Sequence, residues 1–164
     1  MRVAVLTVSD RSAKGERRDA GGPAVEAAVV RFVAGAEVVH RLVVPDDVAK
    51  ISEAIARAAA AADLVLTTGG TGLSPRDVTP QATRAVIDYE VPGLAEAMRA
   101  ATRAAVPTAV LSRQVAGVRG RTLVVNLPGS PRGAVECLEA IAAVLPHAVA
   151  TLRGEAGDEH PGAS

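Results

Sequence analysis

Aromatic side chains are nearly missing from this chain: one Tyr, one Phe and no Trp make up 1% of its 164 residues. An interior built without large rings must come from Val, Leu, Ile and Ala packed in closely spaced layers. Cysteine is equally scarce. Cys137 stands alone, which excludes an intrachain disulfide and a thiolate cluster for zinc, and its simplest reading is a buried thiol on a helix. Net charge is absent as well, because 18 Lys plus Arg balance 18 Asp plus Glu. The whole surface therefore exerts no general pull on nucleic acid or an anionic membrane, and any anion site must be local. No long apolar run opens the chain. Val3 to Val8 is too short for a secretory core with its cleavage site or for a membrane span, which predicts a cytoplasmic chain. His40, His147 and His160 are far apart, and none has a neighbour at metal-ligand spacing.

What is present is alternation. A chain of this length fits one domain, and folding it buries roughly two thirds of the surface its unfolded form exposes. Arg2 to Val8 reads as a buried strand, Pro23 to Ala34 as a helix with Val25, Val29 and Phe32 about a turn apart, and Ala36 to Val44 as a second strand. Asp46 or Asp47 then suits the cap of a helix striped by Ile51, Ile55, Ala58 and Ala62. Asp63 to Thr68 is a third strand. Two helical pieces follow, from Thr79 to about Tyr89 and, after Val91-Pro92-Gly93, to about Arg103. Thr108 to Leu111 and Arg121 to Leu127 read as strands, with a short hairpin strand at Gln114 to Val118. A final helix carries Val135, Leu138, Ile141 and Leu145 on one face until Pro146 kinks or ends it. This order predicts an α/β fold, a three-layer α/β/α domain over residues 1–152 with a mostly parallel central sheet, and a polar surface tail over 153–164.

In such a sheet, ligands bind beyond the carboxyl ends of the strands. Four polar segments meet that condition: Ser9-Asp10-Arg11, Pro45-Asp46-Asp47, Gly69 to Thr79, and Asn126 to Ser130. The third carries the strongest signal. Gly69, Gly70 and Gly72 expose backbone N–H groups, Thr71 and Ser74 add hydroxyls, and a helix start follows, which together suit a phosphate. It is not a Walker loop, since no Gly-Lys-Ser/Thr ends it, and it lacks the dinucleotide glycine spacing. A tight strand-to-helix connection is the plainer alternative. Asp77 lies within this segment, and a carboxylate beside a phosphate cradle is repelled unless a cation or a proton comes between them. Mg²⁺ resolves the conflict with one or two carboxylates plus phosphate oxygens, and Asp46 is the candidate for the second. The competing readings are a helix cap for Asp46 or Asp47 and a turn residue for Asp77. Arg76 suits a phosphate clamp, or is simply a solvated charge.

Several motifs then occur together in order: Val8-Ser9-Asp10-Arg11, Val44-Pro45-Asp46, Thr67 to Pro80, Leu111-Ser112-Arg113, and Leu127-Pro128-Gly129-Ser130-Pro131. In these the chain resembles, over nearly its whole length, the molybdopterin adenylyltransferase family of MogA/MoaB-type proteins. The resemblance implies that the terminal phosphate of molybdopterin attacks the α-phosphate of ATP, with Mg²⁺ present, to give adenylyl-molybdopterin and pyrophosphate. It implies Asp77 and Asp46 as catalytic residues acting through Mg²⁺. Ser9, Asp10, Gly69, Gly70, Thr71, Gly72, Ser74 and Arg76 would bind substrate, with Pro128, Gly129 and Ser130 on the opposite wall. It also implies a homotrimer or hexamer and a separate molybdate-insertion protein as partner, with no nucleic acid and no membrane. One departure stands out: Gln81 occupies a position where the family usually has Glu. Two other readings compete, a pterin-binding scaffold or carrier with little catalysis and a nucleotide-binding regulator indifferent to pterin.

Overall fold

The computed structural model describes residues 1–155. Strand β1 (Arg2–Val8) leads through a short helix α1 (Asp10–Ala13) to α2 (Gly21–Phe32) and β2 (Glu37–Val44). Then come α3 (Val48–Ala59), β3 (Leu64–Thr68), α4 (Thr79–Arg84), β4 (Tyr89–Glu90) and α5 (Pro92–Thr102). A 3-10 turn (Pro107–Leu111), the hairpin β5 (Ala116–Arg119) and β6 (Thr122–Leu127), and helices α6 (Pro131–Ile141) and α7 (Leu145–Arg153) complete the order.

One sheet of six strands runs β2-β1-β3-β6-β5-β4. The first four are mutually parallel, while β5 is antiparallel to β6 and β4 to β5. Strand β1 explains the layering. Val3 and Val5 point into one apolar cluster and Ala4, Leu6 and Val8 into another, so both faces must be covered, as parallel strands require. Helices α2, α5 and α6 cover the first face with Val25, Val29, Met98, Cys137 and Leu138, and α3 and α4 cover the second with Ile51, Ile55 and Ala82. The apolar 23-residue run Pro131–Arg153 spends Ala134, Leu138, Ile141 and Leu145 on this core. The predicted three-layer α/β/α architecture is present. Because the connections leave β1 and β3 in opposite directions along the sheet, the order switches between them, and that is where a ligand crevice opens.

Several boundaries differ from the sequence reading for identifiable reasons. The helix expected to reach Tyr89 stops at Arg84. Asp88 N–H donates to Val118 O and Val91 N–H to Ala116 O, both at 2.7 Å, drawing the backbone into β4 before Pro92 opens α5. Thr108–Leu111 is not a strand: Pro107 starts a 3-10 turn that leaves Val110 and Leu111 largely exposed. The helix expected from Pro23 begins at Gly21, and α1 was not anticipated; Ser9 caps it by accepting from Ser12 N–H at 3.2 Å. After α6 the chain makes a 3-10 turn and resumes as α7, with Pro146 in the first turn, where a missing N–H costs no bond. Of the expected tail, Arg153 instead ends α7 and pairs with Asp63, and residues 156–164 lie outside the described residues.

Candidate active site

All four predicted loops follow parallel strands and so share the carboxyl-end edge of the sheet. At their centre is the turn after β3. Gly69 and Gly70 adopt φ of +105° and +65°, conformations that L side chains rarely take. Space is also closed: a Cβ on Gly69 would lie 2.3 Å from Val8 O, and one on Gly70 would lie 2.4 Å from Thr79 Oγ1 and 3.3 Å from Asp46 Oδ1. Thr79 holds this turn from the start of α4. Its N–H donates to Gly70 O (3.1 Å) and its buried hydroxyl to Gly69 O (2.8 Å). Opposite, Thr68 Oγ1 donates to Pro128 O (2.8 Å) and Gly129 lies against Gly69, which joins the loop after β6 to the loop after β3.

The acidic residues converge on that turn. Asp47, not Asp46, caps α3, accepting from Lys50 N–H at 2.9 Å. Asp46 turns to the loop after β1: Asp10 N–H donates to Asp46 Oδ2 (2.8 Å) and Asp46 N–H to Asp10 Oδ1 (3.0 Å). Asp77 closes its own loop, its Oδ2 accepting from Ser74 N–H (3.0 Å). Each carboxylate thus has one oxygen engaged with backbone. Asp46 Oδ1 and Asp77 Oδ1 receive no hydrogen bond among the described residues, and neither side chain forms an ion pair there. Burial pushes the Asp46 carboxyl above the ordinary aspartate value, and the nearby Asp10 and Asp77 charges add to that shift. Asp10 behaves oppositely. The Arg76 guanidinium bonds to it and holds its pKa below the usual value. Arg76 also donates to Asp46 O at 3.0 Å, so the expected phosphate clamp is engaged within the protein, tying the Asp77 loop to the loops after β1 and β2.

Two clefts open on either side of this wall. The larger, about 780 Å³, runs from Thr71, Gly72 and Asp77 to Arg99, Arg132 and Cys137 under the apolar 3-10 turn. The smaller, about 430 Å³, holds Ser9, Arg17, Arg18, Asp46 and Asp77. Gly70, Asp77, Gly129 and Ser130 line both. Every predicted site residue therefore lies in or beside the clefts: Pro128 lines the larger and Ser9 the smaller, while Asp10, Ser74 and Arg76 brace the acidic loops. Sequence reasoning missed the cations. Arg17 and Arg18 had no signal beyond their charge. Asp19, which accepts from Thr7 Oγ1 (3.0 Å) and Gly22 N–H (2.9 Å) to fix the start of α2 beside the smaller cleft, was foreshadowed only by the glycines after it.

Among the described residues, no three His, Cys, Asp or Glu gather around a common point to hold a metal. Two carboxylates with one free oxygen each are nevertheless what Mg²⁺ takes when substrate phosphates complete its shell, so the donor set fits that ion.

The Gly69 N–H, expected to be free, is buried and donates to Leu127 O (3.2 Å). An open α/β sheet with adjoining clefts at its switch point, a tight glycine turn and two carboxylates outside any ion pair among the described residues therefore define the site. Comparison with known proteins narrows the class. The family model described as "Probable molybdopterin binding domain" matches residues 4–147. A protein named molybdopterin adenylyltransferase from Helicobacter pylori is 39% identical over 154 residues, covering 93% of this chain and 88% of that one. Its namesake from Escherichia coli is 41% identical over 143 residues, covering 86% and 73%. The crystal structure of the molybdopterin biosynthesis enzyme MoaB from Thermus thermophilus superposes with a TM-score of 0.85 at 51% identity, covering 93% of this chain and 96% of that one. The chain belongs to this molybdopterin-binding family.

Proposed function

We propose that the chain is a molybdopterin adenylyltransferase acting in molybdenum-cofactor biosynthesis, and that its two clefts seat the two substrates. The observation that carries this reading is the shared wall: Gly70, Asp77, Gly129 and Ser130 border both clefts, so ligands held on each side meet there. The larger cleft, with its apolar lip and Arg99 and Arg132, suits a phosphorylated pterin; the smaller, with Arg17 and Arg18, suits a triphosphate. A terminal phosphate oxygen of molybdopterin attacks the α-phosphorus of ATP. The bond to the β-phosphate breaks, and pyrophosphate leaves.

The chain's part is placement and electrostatics, as expected where two anions must be brought together. Gly70, which lines both clefts, brings the backbone of the turn to the place where negative charge gathers. Asp77 lines both clefts and Asp46 the smaller one, and the two would hold Mg²⁺, whose charge offsets that of the phosphates. Ser130, which caps α6, and Ser9, which caps α1, place two further helix starts at the smaller cleft. The reading extends to a cytoplasmic homotrimer or hexamer that hands its product to a separate molybdate-insertion protein.

ATP labelled at the α-phosphate tests it. Label should move to molybdopterin only when the protein, Mg²⁺ and both substrates are present; label that stays on free nucleotide would overturn the assignment.

A further inference from the structure

We infer that Arg113 is a positioning residue for Asp77, a proposal that rests on the functional reading above. The loop from Gly72 to Asp77 is folded on itself: Ser74 N–H donates to Asp77 Oδ2 (3.0 Å) and Asp77 N–H to Ser74 O (2.9 Å). Those bonds shape the loop without fixing where it sits. Arg113 fixes it. Its Nε donates to Gly72 O (2.8 Å), its Nη2 to Asp77 O (2.5 Å), and its backbone N–H to Thr71 O (2.9 Å). One half-buried guanidinium thereby spans both ends of the loop that carries the carboxylate.

The clamp has a firm base. Two residues on, Val115 and the fully buried Asn126 of β6 exchange hydrogen bonds: Asn126 N–H donates to Val115 O (2.8 Å) and Val115 N–H to Asn126 Oδ1 (3.2 Å). Asn126 also donates to Thr67 Oγ1 of β3 and Thr83 Oγ1 of α4, each at 2.9 Å. The loop is thus referenced to the rigid centre of the sheet. Arg113 lines neither cleft, although Ser112 and Gln114 line the larger one, so its action on the reaction passes through Asp77. It forms no ion pair among the described residues, and its charge remains behind a wall that must accept phosphates. Lysine cannot replace it, because a single ammonium lacks the planar fork that reaches two carbonyls.

Two variants and two readouts test this. In the free protein, Arg113→Gln should speed hydrogen exchange at the Ser74 and Asp77 amides about tenfold or more while core amides of β1 and β3 keep their protection. In turnover, Arg113→Gln should lower kcat about 10²-fold with little change in the KM for molybdopterin, the loss a misplaced catalytic group brings. Arg113→Lys should lose as much, and it carries the comparison if Arg113→Gln does not fold. In an Asp77→Asn background, Arg113→Gln should add almost nothing, since both changes disable one device. Unchanged exchange with normal kcat would overturn the proposal, as would losses that multiply with Asp77→Asn. If the unaltered protein makes no pyrophosphate from molybdopterin and Mg-ATP, the functional reading has failed, and the exchange comparison alone decides the clamp.

Discussion

Replacing Gly70 with Ala, set beside the same change at Gly120, separates backbone conformation from close approach. Both glycines have positive φ, +65° and +58°. Forcing an L residue into that region costs about 1 to 2 kcal/mol at either position. At Gly120, in the two-residue connection between β5 and β6, a new Cβ meets nothing within 4 Å, so the cost stops there. At Gly70 it would lie 2.4 Å from Thr79 Oγ1, and that hydroxyl must move. Moving it breaks the buried bond to Gly69 O and leaves a carbonyl unsatisfied, about 1 to 2 kcal/mol more. Gly70→Ala should therefore lose about 2 to 4 kcal/mol and Gly120→Ala about 1 to 2, with thermal midpoints falling by about 2 to 4 °C per kcal/mol in a chain of this size. Urea unfolding and adenylyl transfer, measured on both, give the answer. Only Gly70→Ala should lose turnover, by about 10²-fold, because the turn that borders both clefts has shifted. Equal stability losses would refute the close-approach argument, and normal turnover in Gly70→Ala would remove the turn from the site.

Asp77→Ala should lower the rate of pyrophosphate release at least about 10²-fold, roughly 2.7 kcal/mol of barrier, while molybdopterin binding followed by calorimetry survives; near-normal turnover would remove Asp77 from the mechanism. Asp46 couples pH to stability in the metal-free protein. Its folded pKa lies above the ordinary 3.8, so the fold disfavours the ionised form and loses stability as pH rises through that raised value. Asp46→Asn keeps an acceptor for Asp10 N–H and should raise the thermal midpoint of the metal-free protein at neutral pH; a midpoint that falls would contradict this. At the opposite edge, burial works to raise the Asp63 pKa, but the Arg153 guanidinium and Arg2 N–H outweigh it and hold the carboxyl below 3.8. That stabilisation is present above the unfolded value and is lost as pH falls through the folded one. Arg153→Gln should lower stability at pH 7, by an amount solvent screening keeps small, and leave it unchanged at strongly acidic pH; a loss independent of pH in urea titrations would refute the ion pair.

Local pattern carried most of the fold into view. Strands β1, β3 and β6, rich in Val and Leu, are each buried on both faces, and such segments have few alternatives to a covered parallel sheet. Glycines in series marked the turn, because their conformational freedom is itself a local property. What escaped notice depends on distant partners. Tyr89–Glu90 becomes a strand only because β5 stands beside it, whereas Thr108–Leu111, strand-like in composition, has no neighbour to pair with and curls into the lip of the larger cleft. Asp46 and Asp47 look alike in sequence, and only the position of Asp10 assigns the cap to one and the cleft to the other. Arg76 suggested a phosphate ligand on charge alone, but its guanidinium is held by a carboxylate 66 residues away in the chain. The Leu111-Ser112-Arg113 motif was visible without its purpose, since the carbonyls that Arg113 holds belong to a loop about forty residues earlier.

Pyrophosphate release by the unaltered protein, followed with Mg-ATP in the presence and absence of molybdopterin, is the most direct measurement. Two clefts meeting at one wall predict release that stays at background with either substrate alone and rises when both are supplied. Release from ATP that proceeds equally without the pterin, or none when both are present, would contradict the account.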